Sequence, residues 1–173
     1  ALVWSLKPDE TPAGPPWEAL SGNNAREAYR AVWALASDPG AVELLRAKVP
    51  VQPVIPEAKL KQWIADLGAD RFAVREAATK ALQDLGRVAE PELRAARDRV
   101  SGEEVRSRLD ALLAKLPRGR TGEDVVWARA VQALELAGTE AARKLLTEWA
   151  AGASAARLTI DAKAALGRLD ANR

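Results

Sequence analysis

The sequence predicts an all-α fold: stacked antiparallel helix pairs preceded by a short extended N-terminal segment. Three observations predict it. The 173 residues include 37 Ala and 22 Leu, so two strong helix formers make a third of the chain. Apolar side chains recur at i, i+3, i+4 and i+7 through most of its length. Polar or Gly-containing breaks of two to five residues separate the periodic stretches, and short connections force consecutive helices to lie antiparallel.

The elements follow in order. Residues 1–6, Ala-Leu-Val-Trp-Ser-Leu, read as one short strand. Residues 7–16 are rich in Pro with one Gly and read as a linker, because Pro removes donors and forbids helix there. From Trp17 onward the pattern is helical, so residues 1–16 are taken as strand and linker and 17–173 as the helical domain. Helices are predicted at 17–21, 24–37, 40–48, 57–67, 71–85, 89–99, 102–116, 122–137, 139–151 and 158–170. The stripes Leu60/Trp63/Ile64/Leu67, Ala78/Ala81/Leu82/Leu85, Val105/Leu109/Leu112/Leu113/Leu116 and Ala142/Leu145/Leu146/Trp149 mark core faces. Asn23 or Asn24, Asp70, Ser101, Thr121 and Thr139 stand where N-caps belong. Gly68, Gly86, Gly138 and Gly152 stand at the stops, with Pro56 marking a start and Pro117 a stop. Residues 49–55 read as an extended crossing whose Val and Ile tuck against a helix pair.

The element Ala-x-x-Ala-Leu occurs four times, at Ala31/Ala34/Leu35, Ala78/Ala81/Leu82, Ala130/Ala133/Leu134 and Ala162/Ala165/Leu166. Its Ala pair allows close helix approach while Leu fills the gap. The segment Asp70-x3-Val74-Arg75-x2-Ala78-x2-Ala81-Leu82-x2-Leu85-Gly86 resembles HEAT repeats, particularly the HEAT-like type named after phycobilisome lyases. That resemblance implies an α-solenoid of about four helix pairs over roughly residues 24–170. Ala1–Leu6 resembles the closing strand of a WD40 repeat, with Ser5 in place of the Asp. Together the two resemblances imply a C-terminal helical extension of a WD40 β-propeller, as in large multidomain bacterial proteins, notably of planctomycetes. The absence of Met at position 1 points the same way, to a piece of a longer chain.

Composition removes several chemistries. Without His or Cys, Ser-His-Asp and Cys-His catalysis within this chain are excluded, as are disulfides and zinc fingers. No catalytic, cofactor-binding or metal-ligating residue is assigned, no apolar run approaches a membrane span, and the compartment is left open with the cytoplasm favoured, since a chain without Cys is compatible with a reducing environment. Glu103-Glu104 and Glu123-Asp124 sit in first helical turns, where capping and the helix dipole explain acids. Glu76 and Lys80 read as an i,i+4 pair. Of the six Trp, Trp33, Trp63 and Trp149 fall on core stripes.

The candidate interaction surface is Arg-rich: Arg87, Arg94, Arg97, Arg99, Arg106, Arg108, Arg118 and Arg120. With Lys115 and six acids they leave residues 87–120 at +3. Two readings follow. One is a non-catalytic scaffold that binds a protein partner or the parent's own propeller. The other is a nucleic-acid module in which Arg94, Arg97 and Arg108 line one side of a helix pair and the Arg118-Gly119-Arg120 loop reaches a phosphate. The chain's net charge of +2 favours the first. A lyase or glycosylase rests on fold analogy alone.

Overall fold

The computed structural model describes residues 7–171, and among these the secondary structure is entirely helical. The order is α1 (Pro16–Ser21), α2 (Ala25–Ser37), α3 (Ala41–Lys48), α4 (Glu57–Asp66), α5 (Phe72–Leu85), a 3-10 turn (Gly86–Ala89), α6 (Glu90–Arg99), α7 (Glu103–Lys115), α8 (Gly122–Ala137), α9 (Glu140–Ala150) and α10 (Arg157–Ala171). The strand expected at 1–6 lies outside the described residues.

The stretch read as one domain forms two compact units. The first comprises residues up to Val51 with 120–152 and 157–173, and the second comprises 52–119 with 153–156. The second unit is thus inserted in sequence between α3 and α8.

In the first unit α8 is the central helix, contacting α1, α2, α9 and α10, while α3 packs on α9. Three Ala-x-x-Ala-Leu elements fall on α2, α8 and α10, the helices that meet side by side. Ala31, Ala130, Ala133, Ala162 and Ala165 are all buried there. Small side chains let these backbones approach, and Leu35, Leu134, Leu145, Leu146 and Trp149 fill the space between them. A helix buried on several sides needs apolar residues around its circumference, which α8 supplies with Val126, Ala130, Val131, Ala133 and Leu134. Arg129 of α8 donates to the carbonyls of Leu20 and Gly22, satisfying acceptors left open at the end of α1.

The second unit is two helix hairpins, α4–α5 and α6–α7, with α4 contacting α6 and α5 contacting α7. Leu60, Leu67, Ala78, Leu82, Leu93, Leu109 and Leu112 form its core, with Trp63, Ile64 and Val105 packed against them. Arg75 and Arg106 occupy equivalent places in α5 and α7, each preceded by Val. Arg75 donates to the carbonyls of Ala69 and Asp70, and Arg106 to that of Val100. Each guanidinium folds back onto the turn that precedes its helix.

The terminal signals divide. Asn24 accepts from the N–H groups of Arg26 and Glu27, Thr139 caps α9, and Thr121 with Asp124 forms a reciprocal capping box. Asp70 and Ser101 are not caps: Arg71 and Gly102 occupy those positions, without a side-chain bond to the helix. Gly86 and Gly138 adopt positive φ, 52° and 59°, as helix stops require. Gly68 serves another purpose, since a Cβ there would stand 3.0 Å from Val105 Cγ2. The 49–55 crossing carries no helix, and Val49 at its start is extended; Val49 is buried in the first core and Ile55 packs on the second, but Val51 and Val54 are exposed.

Candidate interaction site

The eight arginines do not share one environment. Arg120 belongs to the first unit, where it holds Asp161 through two bonds of 2.7 and 2.8 Å. The other seven belong to the second unit. Three of these face carboxylates: Arg94 bonds Glu90 at 2.8 Å, Arg97 bonds Asp110 at 2.9 Å, and Arg108 meets Glu104 at 3.2 Å and Glu76 at 3.5 Å. The hydrogen bond that Arg97 donates to Asp110, backed by the carboxylate's charge, pushes the Arg97 guanidinium further toward the protonated form. Two more donate to backbone: Arg106 to Val100 and Arg87 to Gly119. Of the eight, only Arg99 and Arg118 have neither an ion pair nor a backbone acceptor among the described residues, and both are exposed.

The acids have structural employment of the same kind. Asp124 is 6% exposed and accepts from the Thr121 N–H at 2.7 Å. Glu104 lies between Arg108 and Arg75. Lys80 pairs with Asp84 at 2.5 Å rather than with Glu76, which is drawn to Arg108. No group of three or more His, Cys, Asp or Glu able to hold a metal occurs among the described residues. No helix there is long and apolar enough to cross a membrane.

The aromatic residues also separate. Trp149 is 1% exposed at the centre of the first core, whereas Trp63 is partly buried against the second. Trp33 is partly buried too, edge-on to Tyr29 with ring centres 6.5 Å apart, and its indole N–H has no acceptor among the described residues. Trp17 and Trp127 pack on the first core from its periphery.

Two surface clefts stand out, one in each unit. In the first unit a cleft of about 540 Å3 runs between α8 and α10 over Ala128, Val131 and Ala164. It is bounded by Arg120–Asp161 near one end of both helices and by Arg168–Glu135 near the other. Start therefore meets start, and α8 and α10 run parallel. Each Arg of these pairs already engages its carboxylate.

In the second unit a groove of about 430 Å3 is lined by Ile64 and Ala65 of α4, Ala96 of α6, Val100, and Val105 and Leu109 of α7. Lys61, Glu92 and Arg99 stand on its rim. Lys61 is ion-paired to Glu57, which holds the Glu57 carboxyl below its ordinary range and raises the Lys61 ammonium. Arg99 is the cation on this rim with no such tie. Sequence reasoning marked Arg99 and the stripes carrying Ile64, Val105 and Leu109, but did not join them. The groove arises because three different helices contribute its walls, and Lys61 in particular carried no signal of its own. No family model, no curated protein and no solved structure matches this chain.

Proposed function

We propose that this chain is a non-catalytic protein-interaction scaffold built from stacked, HEAT-like helix hairpins within a larger multidomain protein. The observation that carries this reading is the state of its charged groups. The carboxylates and guanidiniums that acid–base or phosphate chemistry would need are largely bound to one another or to backbone carbonyls. What remains open is grooved helical surface with apolar floors, which suits burial of a partner's side chains. The side-by-side contacts of α2, α8 and α10, and of the two hairpins in the second unit, agree with a short repeat stack. Ala1–Leu6 adds a β-propeller of the same parent protein as one partner.

A second reading, phosphate-backbone binding, retains Arg99 and Arg118, two exposed cations of the second unit without ion pairs among the described residues. Electrophoretic mobility of mixed DNA and RNA, from low to physiological salt, separates the two. The scaffold reading predicts no shift at any salt. A salt-sensitive shift abolished by the double substitution Arg99→Glu/Arg118→Glu would overturn it.

A further inference from the structure

We infer that the groove among α4, α6 and α7 is a docking site for an acidic amphipathic segment of a protein partner; the inference rests on the scaffold reading and names its partner class.

The floor comes first. Ile64, Ala96, Val100, Val105 and Leu109 converge from three helices, and an apolar concavity of about 430 Å3 is of the size that receives anchoring side chains. Its depth is fixed by close packing. Gly68 lets Val105 sit where any Cβ would meet it at 3.0 Å, so the α4 end and the start of α7 are held together along one wall. The floor is therefore preformed and does not wait for a ligand to assemble it.

The rim sets the charge of the occupant. Arg99, in the last turn of α6, projects from the groove edge with no carboxylate partner among the described residues. Close by, the Arg106 guanidinium sits on the Val100 carbonyl, adding a second cation at the same end. Lys61 is taken up by Glu57, with Glu92 adding to the attraction and outweighing the pull of Arg99 the other way. The acids on this surface are Glu57, taken up by Lys61, and Glu92, which belongs to the first turn of α6 at the other end. One end of the groove is thus cationic and unneutralised. A carboxylate of the partner placed there pairs with Arg99 while its apolar side chains cover Val100, Val105 and Leu109. From Glu92 to Arg99 the α6 wall rises about 10 Å at 1.5 Å per residue, room for roughly two helical turns of a partner. Two turns carry apolar residues at i, i+3 or i+4 and i+7, the pattern by which a helix fills such a groove.

The test uses the whole chain and two labelled helical peptides of identical apolar pattern, one with Glu and the other with Lys at its polar positions. Fluorescence anisotropy is read from low to physiological salt, with a single-stranded oligonucleotide as a third probe. The inference predicts that the Glu peptide binds at least about tenfold tighter than the Lys peptide and weakens with salt. Arg99→Glu and Ala65→Trp, both at exposed positions, should each reduce that affinity about tenfold or more, the first by reversing the rim charge and the second by filling the groove. Equal binding of the two peptides, or binding of neither, overturns the inference. Glu-peptide binding that survives both substitutions also overturns it, while leaving the scaffold reading intact. Oligonucleotide binding lost in Arg99→Glu, with no binding of the Glu peptide, overturns both.

Discussion

The two units solve the same problem, burying a helix face, with different means. The first closes around eighteen buried apolar residues and ends three of its helices with side-chain caps, Asn24, Thr121 and Thr139. Several of its ion pairs join residues far apart in sequence: Arg46 to Glu148, Arg120 to Asp161, Arg143 to Asp170 and Arg168 to Glu135. The second closes around eight, and none of its four α-helices has a side-chain cap at its start. Many of its ion pairs lie within one helix, as in Glu57–Lys61, Lys80–Asp84 and Glu90–Arg94. Pairs of that kind support a helix but do not bind it to its neighbour. The proposed interaction surface falls on the less firmly closed unit, where a groove and an unpaired cation remain.

Substitutions sharpen or break this contrast, beginning with the cores. Trp149→Ala removes the largest buried side chain of the first core and should destabilise that unit by about 3–5 kcal/mol. Leu109→Ala should remove about 2–5 kcal/mol from the second, and in hydrogen exchange the loss of protection should concentrate in residues 57–115. Equal loss across both units in Leu109→Ala would break the comparison. Thr121→Ala opens the capping box at α8 and should lower stability by about 1 kcal/mol in denaturant titration. The converse tests the uncapped unit. Arg71→Asp places a capping carboxylate at the start of α5, where the backbone is already extended at φ −79° and ψ 119°, and should raise midpoint stability by about 0.5–1 kcal/mol.

The smallest effect is electrostatic. Lys61 depresses the Glu57 carboxyl, so its contribution is present above the unfolded-state value and is lost as pH falls through the folded one. The Lys61 ammonium is raised, so its contribution is present below its unfolded-state value and is lost as pH rises through the folded one. The pair accordingly acts across neutral pH. Carboxyl NMR titration should place the Glu57 midpoint below the usual value of about 4.3 and return it toward that value in Lys61→Ala.

The helices were legible because their signals are local. The Ala142/Leu145/Leu146/Trp149 stripe is wholly buried, and Thr121, Thr139, Gly86 and Gly138 act at the ends where their chemistry placed them. Asp70 and Ser101 failed as caps because each helix starts one residue later than predicted, with Arg75 and Arg106 claiming the carbonyls of the preceding turn. The division into units was not legible. It depends on α2 meeting α8 across more than eighty residues, and nothing in the Ala-x-x-Ala-Leu elements says which copy pairs with which. The site was half legible for the same reason. Arg99 is visible as a cation, but its lack of a partner depends on where Asp110, Glu104 and Glu90 are directed, and each is taken by another arginine.

Native-state hydrogen exchange of the whole chain, read by mass spectrometry on peptides from α2, α5, α7, α8 and α9, tests the central claim most directly. The account predicts two classes of opening, with α5 and α7 exchanging together at lower free energy than α2, α8 and α9. One common opening energy for all five helices, or α2 exchanging with α5 and α7 rather than with α8, would contradict it.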